Sequence, residues 1–313
     1  MKEKNIFTLT SAYRDDFRVR GYEFGSGEKS ACIVGSFRGN EIQQMFCCSQ
    51  LVSRLKKLEE EGRIEENRSI LVIPCANNYS MNIEKRFWGT DNTDINRMFP
   101  GYNLGETTQR IADAVFKAVQ DYEHGIQFAS FYIPGNFMPH VRMMKTGYEN
   151  TDLAQEFGLP YIVLRMPMKY DSTTLNYNWQ IWETNAFSVY TNHTGSIDTD
   201  SMEQVVQAVL RFLEARGIIR FSGSGMDTEE AVPSTLVSSG DLIPVLSHEA
   251  GIFYPYAGVN QKVSCGEKMA CILDPYDSSV KEEIAAPFDG TVFFRQNKAL
   301  AQSNSVLFRV IRG

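Results

Sequence analysis

This 313-residue sequence has few histidines, and its cysteines do not follow the spacing of metal-binding or redox motifs. There are only four histidines, at positions 124, 140, 193 and 248. The six cysteines (32, 47, 48, 75, 265 and 271) show no C-x-x-C spacing. We therefore expect six reduced, buried thiols and a cytoplasmic location.

Long apolar runs and concentrated positive charge are absent as well. No apolar stretch is long enough to span a bilayer, and the charged N-terminal residues 1–5 are not followed by the apolar core of a signal peptide. The formal net charge is -7, and Lys and Arg are scattered along the chain. The sequence therefore predicts no nucleic-acid partner and no membrane partner, and it leaves homo-oligomerisation open.

What the sequence does contain is an alternation of strands and helices. Short apolar runs at residues 30–36, 69–74, 125–132, 161–164 and 186–190 predict strands. Helical periodicity between them predicts helices over residues 41–62, 106–122, 172–183 and 202–215. This alternation is typical of an α/β fold, a mixed or parallel sheet covered by helices on both faces.

The pattern changes after residue 223. Only short strands and turns follow, which predicts a small all-β module that resembles the barrel-like domains related to lipoyl carriers. We therefore predict an α/β domain over residues 1–223 and a β-barrel-like domain over residues 224–313.

The most distinctive stretch is the loop sequence Asp94-Ile-Asn-Arg-Met-Phe-Pro-Gly101. Pro100 and Gly101 interrupt regular structure, which indicates a rigid loop. Asn96 and Arg97 offer an amide and a planar guanidinium, a suitable receptor for a carboxylate. The competing interpretation is that Asp94 and Arg97 pair with each other to brace the loop.

A second candidate segment is Gly35-Ser-Phe-Arg-Gly-Asn-Glu41, which follows a predicted buried strand. It places Arg38 and Glu41 on a strand-to-helix turn, where the carboxyl edge of such a sheet usually binds ligands.

Together with Val72–Asn77, Arg86-Phe87 and the segment 186–216, these motifs give the chain a resemblance to the succinylglutamate desuccinylase/aspartoacylase family, relatives of the zinc carboxypeptidases. The resemblance spans nearly the whole chain and implies a zinc-carboxypeptidase-like mixed sheet plus the small β domain. It also implies a hydrolase of linear amide bonds next to a carboxylate. In that family, one zinc is held by His and Glu of G-x-H-G-N-E and by a later His at a strand end, and a Glu acts as general base.

At the metal, the sequence departs from this pattern. By the resemblance, Glu41 retains the carboxylate ligand, but Arg38 and Ala129 occupy the two histidine positions and Tyr190 occupies the general-base position. Zinc in a catalytic site needs three protein ligands, and a guanidinium has no lone pair to donate. The resemblance assigns Arg86 as carbonyl polariser, and Asn96 and Arg97, joined by Arg38, as substrate-binding residues.

The resulting hypothesis is a pseudoenzyme that binds a small carboxylate, such as an N-acyl amino acid, without zinc and with impaired hydrolysis. An Arg38–Glu41 pair would replace the metal.

Three alternatives remain open. The protein could be an active metal-dependent deacylase with a rearranged zinc site of Glu41, His140 and His193. Cys75, at a strand end, could be a nucleophile. The pocket could also be vestigial, with its aromatic residues serving a protein partner.

Overall fold

The computed structural model describes residues 1–13, 15–191, 195–228 and 230–313. The strands are β1 (Lys2–Leu9), β2 (Phe17–Gly25), β3 (Glu28–Ser36), β4 (Arg68–Cys75), β5 (His124–Ala129), β6 (Gly135–Phe137), β7 (His140–Met144), β8 (Tyr161–Arg165), β9 (Asn185–Tyr190), β10 (Thr235–Ser238), β11 (Ile243–Leu246), β12 (Gly251–Pro255), β13 (Lys262–Val263), β14 (Lys268–Leu273), β15 (Val280–Ala285), β16 (Gly290–Gln296), β17 (Leu300–Ala301) and β18 (Val306–Arg312). The helices are α1 (Ile42–Glu60), α2 (Asn78–Met81), α3 (Thr107–Val119), α4 (Thr151–Gln155), α5 (Leu175–Ile181) and α6 (Thr199–Ala215), with short 3-10 turns at Ile95–Arg97 and Lys169–Asp171.

The chain divides into two structural units. The first contains residues 1–130 and 139–235, and the second contains residues 131–138 and 236–313. The segment 131–138, which carries β6, thus belongs to the second unit although first-unit residues precede and follow it in the sequence. The domain boundary predicted after residue 223 stays a prediction.

Eight strands of the first unit form a mixed sheet in the order β1-β2-β4-β3-β5-β9-β7-β8. Strands β4, β3, β5 and β9 are mutually parallel at its centre, whereas β1 and β2 extend one side as antiparallel strands. Because the central strands are parallel, their carboxyl ends meet at one edge of the sheet.

Each face of this sheet has its own hydrophobic core. Leu51 and Leu55 of α1 and Val205 of α6 pack with Ile33 on one face. On the other face, side chains of α3 and α5 pack with Val34 of the same strand. Successive residues of a strand point to opposite faces, so a strand covered on both sides is apolar throughout. The predicted α/β class with helices on both faces is confirmed.

The second unit consists of two antiparallel sheets. One has the order β11-β18-β16-β13, with β6 paired to β16, and the other has the order β15-β14-β12-β17. Phe253, Met269 and Phe308 belong to its apolar core. The predicted all-β C-terminal module is confirmed as a pair of antiparallel sheets.

The expectation that all six cysteines are buried is wrong. All six cysteines are free, but Cys265 is exposed and Cys75 is only partly buried. No helix among the described residues is long and apolar enough to cross a membrane.

Candidate functional site

The candidate site lies at the carboxyl edge of the first unit's sheet, where four parallel strands end. Ser36, the last residue of β3, is beside Cys75 at the end of β4. Ala129, the last residue of β5, is beside Tyr190 at the end of β9. The segments that follow β3 and β4 carry Arg38, Glu41, Arg86, Asp94 and Arg97, whereas Arg142 and Arg165 lie on β7 and β8.

Arg38 and Glu41 form a buried ion pair in the turn between β3 and α1. The Arg38 Nη1 donates to Glu41 Oε1 at 2.9 Å, and the two residues are only 7 % and 1 % exposed. The Nε and Nη2 of Arg38 donate to Asp94 Oδ2 at 3.0 and 2.9 Å. The Asp94 side chain therefore pairs with Arg38, and the competing interpretation, in which it pairs with Arg97, is wrong. The pKa of Arg38 is raised, because the two carboxylates outweigh the opposing effect of its burial.

Glu41 uses both carboxylate oxygens within the protein. Its Oε2 accepts hydrogen bonds from the backbone N–H groups of Phe37 and Arg38, at 2.9 and 3.0 Å. Its Oε1 accepts from Ser130 Oγ as well as from Arg38. Ser130 follows Ala129, the residue at the predicted second-histidine position, and it is Ser130 that reaches Glu41.

Gly39 brings the segment that carries Arg86 against this turn. The backbone N–H of Gly39 donates to the Arg86 carbonyl at 3.1 Å. A Cβ at position 39 would overlap the Lys85 carbonyl and the backbone at Ser80 and Met81. A glycine is thus required for this close approach.

Arg86 is a partly buried guanidinium without a carboxylate partner. It makes no hydrogen bond or ion pair with any other side chain in the described ranges, and its side-chain interaction there is a contact with the adjacent Phe87 ring. Its pKa is lowered, first by burial and then by the positive charge of Arg38, while Glu41 and Asp94 act in the opposite direction. No carboxylate among the described residues forms an ion pair with this cation.

Arg97, in contrast, is partly exposed but pairs with other groups of the protein. Its Nη1 donates to the Tyr170 carbonyl at 2.7 Å and to Asp171 Oδ1 at 3.3 Å. Asp171 is 1 % exposed and also pairs with Arg165 at 2.7 Å. Asn96, its neighbour in the motif, is buried, and its Oδ1 accepts from the Leu175 N–H at 3.5 Å. As the structure stands, Arg97 and Asn96 brace the loop against α5 and the turn before it.

Tyr190 lies among other groups at the end of β9. It pairs with His140 in the sheet, and the two rings stack with centroids 4.7 Å apart. Arg142 Nη1 donates to the Tyr190 hydroxyl at 3.3 Å, and its guanidinium lies 5.6 Å from the ring centroid. Like Arg86, Arg142 has no carboxylate partner among the described residues. His193 lies outside the described residues.

The donor set of this edge contains few metal ligands. No group of three or more His, Cys, Asp or Glu side chains arranged to hold a metal ion occurs in residues 1–13, 15–191, 195–228 and 230–313. Burial raises the pKa of the Cys75 thiol to about 11, so this thiol is protonated near neutral pH and a poor nucleophile. Of the charged residues named above, five are arginines and three are carboxylates; they are Arg38, Arg86, Arg97, Arg142 and Arg165, and Glu41, Asp94 and Asp171.

Sequence reasoning misses several members of this site. Four residues of the site belong to no recognisable motif. Ser130 binds Glu41, and Arg142 binds the Tyr190 hydroxyl. Asp171 binds both Arg97 and Arg165. Asp171 is separated from Arg97 by more than seventy residues. No local spacing signals such a pair.

Comparisons with known proteins agree with this architecture. The family model described as "Succinylglutamate desuccinylase/Aspartoacylase catalytic domain" matches residues 28–216. A curated relative, N-alpha-acetyl-L-2,4-diaminobutyric acid deacetylase from Halomonas elongata, is 24% identical over 148 residues, which are 43% of this chain and 40% of the relative. The alignment thus spans less than half of that relative's length.

Solved structures share the fold over almost the whole chain. The succinylglutamate desuccinylase/aspartoacylase from Rhodobacter sphaeroides has a TM-score of 0.76 at 18% identity and covers 95% of this chain and 89% of its own. The product-bound ectoine utilization protein EutE (DoeB) from Ruegeria pomeroyi has a TM-score of 0.79 at 18% identity. The match covers 98% of this chain and 93% of the EutE chain.

Proposed function

Because this chain belongs to the succinylglutamate desuccinylase/aspartoacylase family, we propose that its carboxyl-edge site binds a small carboxylate ligand of the N-acyl amino acid class. We propose further that it does so without zinc-dependent hydrolysis. The observation that carries the first proposal is Arg86, a partly buried guanidinium with no carboxylate partner among the described residues. A bound carboxylate would supply the missing negative charge through charge-assisted hydrogen bonds.

The donor chemistry of the site supports the second proposal. Glu41 already accepts four hydrogen bonds, and the guanidinium of Arg38 occupies the space beside it. A divalent cation there would have to displace a permanent positive charge that two carboxylates hold. These residues do not fit a zinc ion, so we derive no hydrolytic step through one.

The chemistry left to the site is recognition. Arg86 would bind the ligand carboxylate, or the carbonyl oxygen next to it, and the lowered pKa of Arg86 would rise on binding. Arg142 and the Tyr190 hydroxyl would add donors at the end of β9. Tyr190, at the predicted general-base position, offers a phenol in place of a carboxylate, so a bound amide would stay intact.

Isothermal titration with N-acetylglutamate, N-acetyl-2,4-diaminobutyrate and succinate tests the binding proposal. We expect saturable binding of at least one of them to the purified protein. Arg86→Gln should weaken it by about tenfold or more, because a charged hydrogen-bond donor is lost. The matched control is Arg20→Gln, which removes an exposed guanidinium from β2 and should leave affinity unchanged. Absence of binding to all three compounds would sink the proposal.

Metal analysis and an amide-hydrolysis assay test the second proposal. Protein purified without chelator should carry far less than one zinc per chain, and added zinc should produce no release of acetate from the N-acetyl compounds. Stoichiometric zinc together with hydrolysis would instead contradict this proposal and favour the rearranged metal site of Glu41, His140 and His193.

A further inference from the structure

One side of the sheet β15-β14-β12-β17 is apolar and exposed; we call it the outer face. The other side belongs to the core of the second unit, and successive strand residues alternate between the two sides. On the outer face, Ile252 of β12 pairs with Leu300 of β17 and Leu273 of β14, and Leu273 pairs with Val280 of β15. These four side chains form an apolar row across all four strands. The two ends of the row are open to solvent, since Leu300 and Val280 are 63 % and 56 % exposed.

Two tyrosines extend this apolar area along β12. Tyr254 and Tyr256 are 54 % and 48 % exposed, and their rings meet edge to face with centroids 5.6 Å apart. Residues two apart in a strand share a face, so Tyr254 lies on the same side as Ile252. Tyr254 pairs with Cys271, and the Tyr256 hydroxyl lies 3.1 Å from the Cys271 thiol. Both tyrosines therefore belong to the outer face.

The sheet that carries the outer face has no net charge. Its four strands contain two lysines and two glutamates. Lys268, 6.0 Å from the Tyr256 ring centroid, pairs with Glu283. The Glu282 carboxylate accepts hydrogen bonds from the backbone N–H groups of His248 and Glu249, at 2.9 and 3.0 Å. The whole chain has a formal net charge of -7, so two copies repel each other in general, whereas a neutral apolar face lets them approach.

We propose that the outer face binds the outer face of a second copy of this chain and so forms a homodimer with two-fold symmetry. Two four-stranded sheets would then stack about 10 Å apart, as in a β-sandwich. Interfaces between identical chains are the more apolar class, and a strongly charged partner would find no complementary net charge on this sheet. The inference does not depend on the function proposed for the carboxyl edge.

The size of the outer face sets the expected affinity. A spacing of about 4.8 Å between strands and a rise of about 3.4 Å per residue give the four strands an area of roughly 300 Å² in projection. Apolar patches of this size on soluble proteins are often functional. A standard interface buries about 800 Å² per partner, so we expect a weak, reversible dimer with a Kd of tens to hundreds of micromolar.

Sedimentation velocity of the full chain between about 1 and 500 μM tests the proposal. We expect the weight-average sedimentation coefficient to rise with concentration toward the value of a dimer. A monomer over the whole concentration range overturns the proposal.

Substitutions locate the interface. Val280→Glu and Leu300→Glu each place two carboxylates, one from each copy, in the apolar interface and should raise the Kd of the dimer at least tenfold. Leu104→Glu is the matched control, because Leu104 is 79 % exposed but lies in the first unit, and it should leave the Kd unchanged. A thermal melt of each variant checks folding. If both outer-face variants are folded and dimerise like the control, the dimer forms through another surface and the proposal is wrong.

Discussion

At the scale of single residues, the Arg38–Glu41 pair is the most constrained feature of the carboxyl-edge site. Both side chains are almost fully buried, and the carboxylate also accepts two backbone N–H groups and a hydroxyl. Burying two charges is costly unless their hydrogen bonds are made, which is the case here. Removal of one partner leaves the other charge buried and unpaired.

A double-mutant cycle should reveal this coupling. Glu41→Gln should lower the free energy of unfolding by about 3–5 kcal/mol, because Arg38 would retain only Asp94. Arg38→Met combined with Glu41→Gln should be less destabilised than the sum of the single variants. Urea denaturation of all four proteins gives the coupling free energy. Additive losses would show that the two charges do not depend on each other.

We predict that the pairing of Arg97 with Asp171 limits how well Arg97 can bind a ligand. Its buried carboxylate binds both Arg97 and Arg165. Asp171→Asn should therefore release Arg97 and strengthen binding of N-acetylglutamate by about threefold to tenfold, while it lowers the melting temperature. Calorimetry measures the affinity, and Asp152→Asn on α4 is the control. Weaker binding by a folded Asp171→Asn protein would mean that Asp171 positions the ligand rather than competing with it.

His124 should make stability depend on pH. Its ring is buried against Phe212, and its Nδ1 has no partner among the described residues. Burial lowers its pKa from 6.5 to about 4, so the unfolded chain binds the proton more readily than the folded one. Stability should therefore be complete above about pH 6.5 and decline as the pH falls toward 4, by about 3 kcal/mol at most.

Denaturation between about pH 4 and 7 measures this effect. His124→Phe keeps a ring in the core and should reduce the change in the free energy of unfolding with pH in this window. His248→Gln, at an exposed position in the second unit, should leave that change as it is in the unaltered protein. An unchanged slope in His124→Phe would assign the pH dependence to other groups.

At the scale of elements, the Asp94–Gly101 loop depends on its close contact with α3. Gly101 has a φ of +97°, and a Cβ there would overlap the backbone of Asp113. Gly101→Ala should lower the free energy of unfolding by more than about 2 kcal/mol. Gly62→Ala is the matched control, since Gly62 has a φ of +66° but no atom within 4 Å, and it should cost only about 1 kcal/mol. Equal losses would exclude the steric contact as the cause.

The predictability of each element follows from how it is buried. β3 and β4 are covered on both faces, and their continuously apolar sequences predict them as strands. The sequence does not predict β7, because His140 and Arg142 interrupt its apolar residues. It does not predict β15 either, because Lys281, Glu282 and Glu283 are typical of a solvated surface. A strand that exposes one face to polar surroundings has no such signature.

The same contrast applies to the candidate site. The Arg38–Glu41 pair spans four residues and is predictable from the motif. The partners of Arg97 and of Glu41 come from distant segments, at Asp171 and Ser130, and only the folded chain brings them together. The assignment of Arg97 to a ligand carboxylate stays a prediction that the Asp171→Asn variant can test.

At the scale of the whole molecule, the second unit depends on a short segment from the middle of the chain. Phe137 of β6 is buried, pairs with Phe294 of β16, and its ring lies 4.5 Å from that of Phe294. Phe137→Ser should therefore increase proteolytic cleavage within residues 236–313, far from the substitution in sequence.

Limited proteolysis with mass spectrometry identifies the cleavage sites. Tyr132→Ser, in the same segment but 66 % exposed, is the control and should leave the cleavage pattern unchanged. If Phe137→Ser opens only residues 131–138 to protease, β6 is an accessory strand rather than part of the second unit's core.

The pairing of β6 with β16 also constrains how the protein is made. The ribosome delivers Gly135 roughly 160 residues before its partner Gln296, a delay on the order of ten seconds or more at about 5–20 residues per second. During that interval the newborn segment carries apolar rings without the strand that will cover them. Slow translation, or a chaperone that shields this segment, would thus influence the yield of native protein more than its final stability.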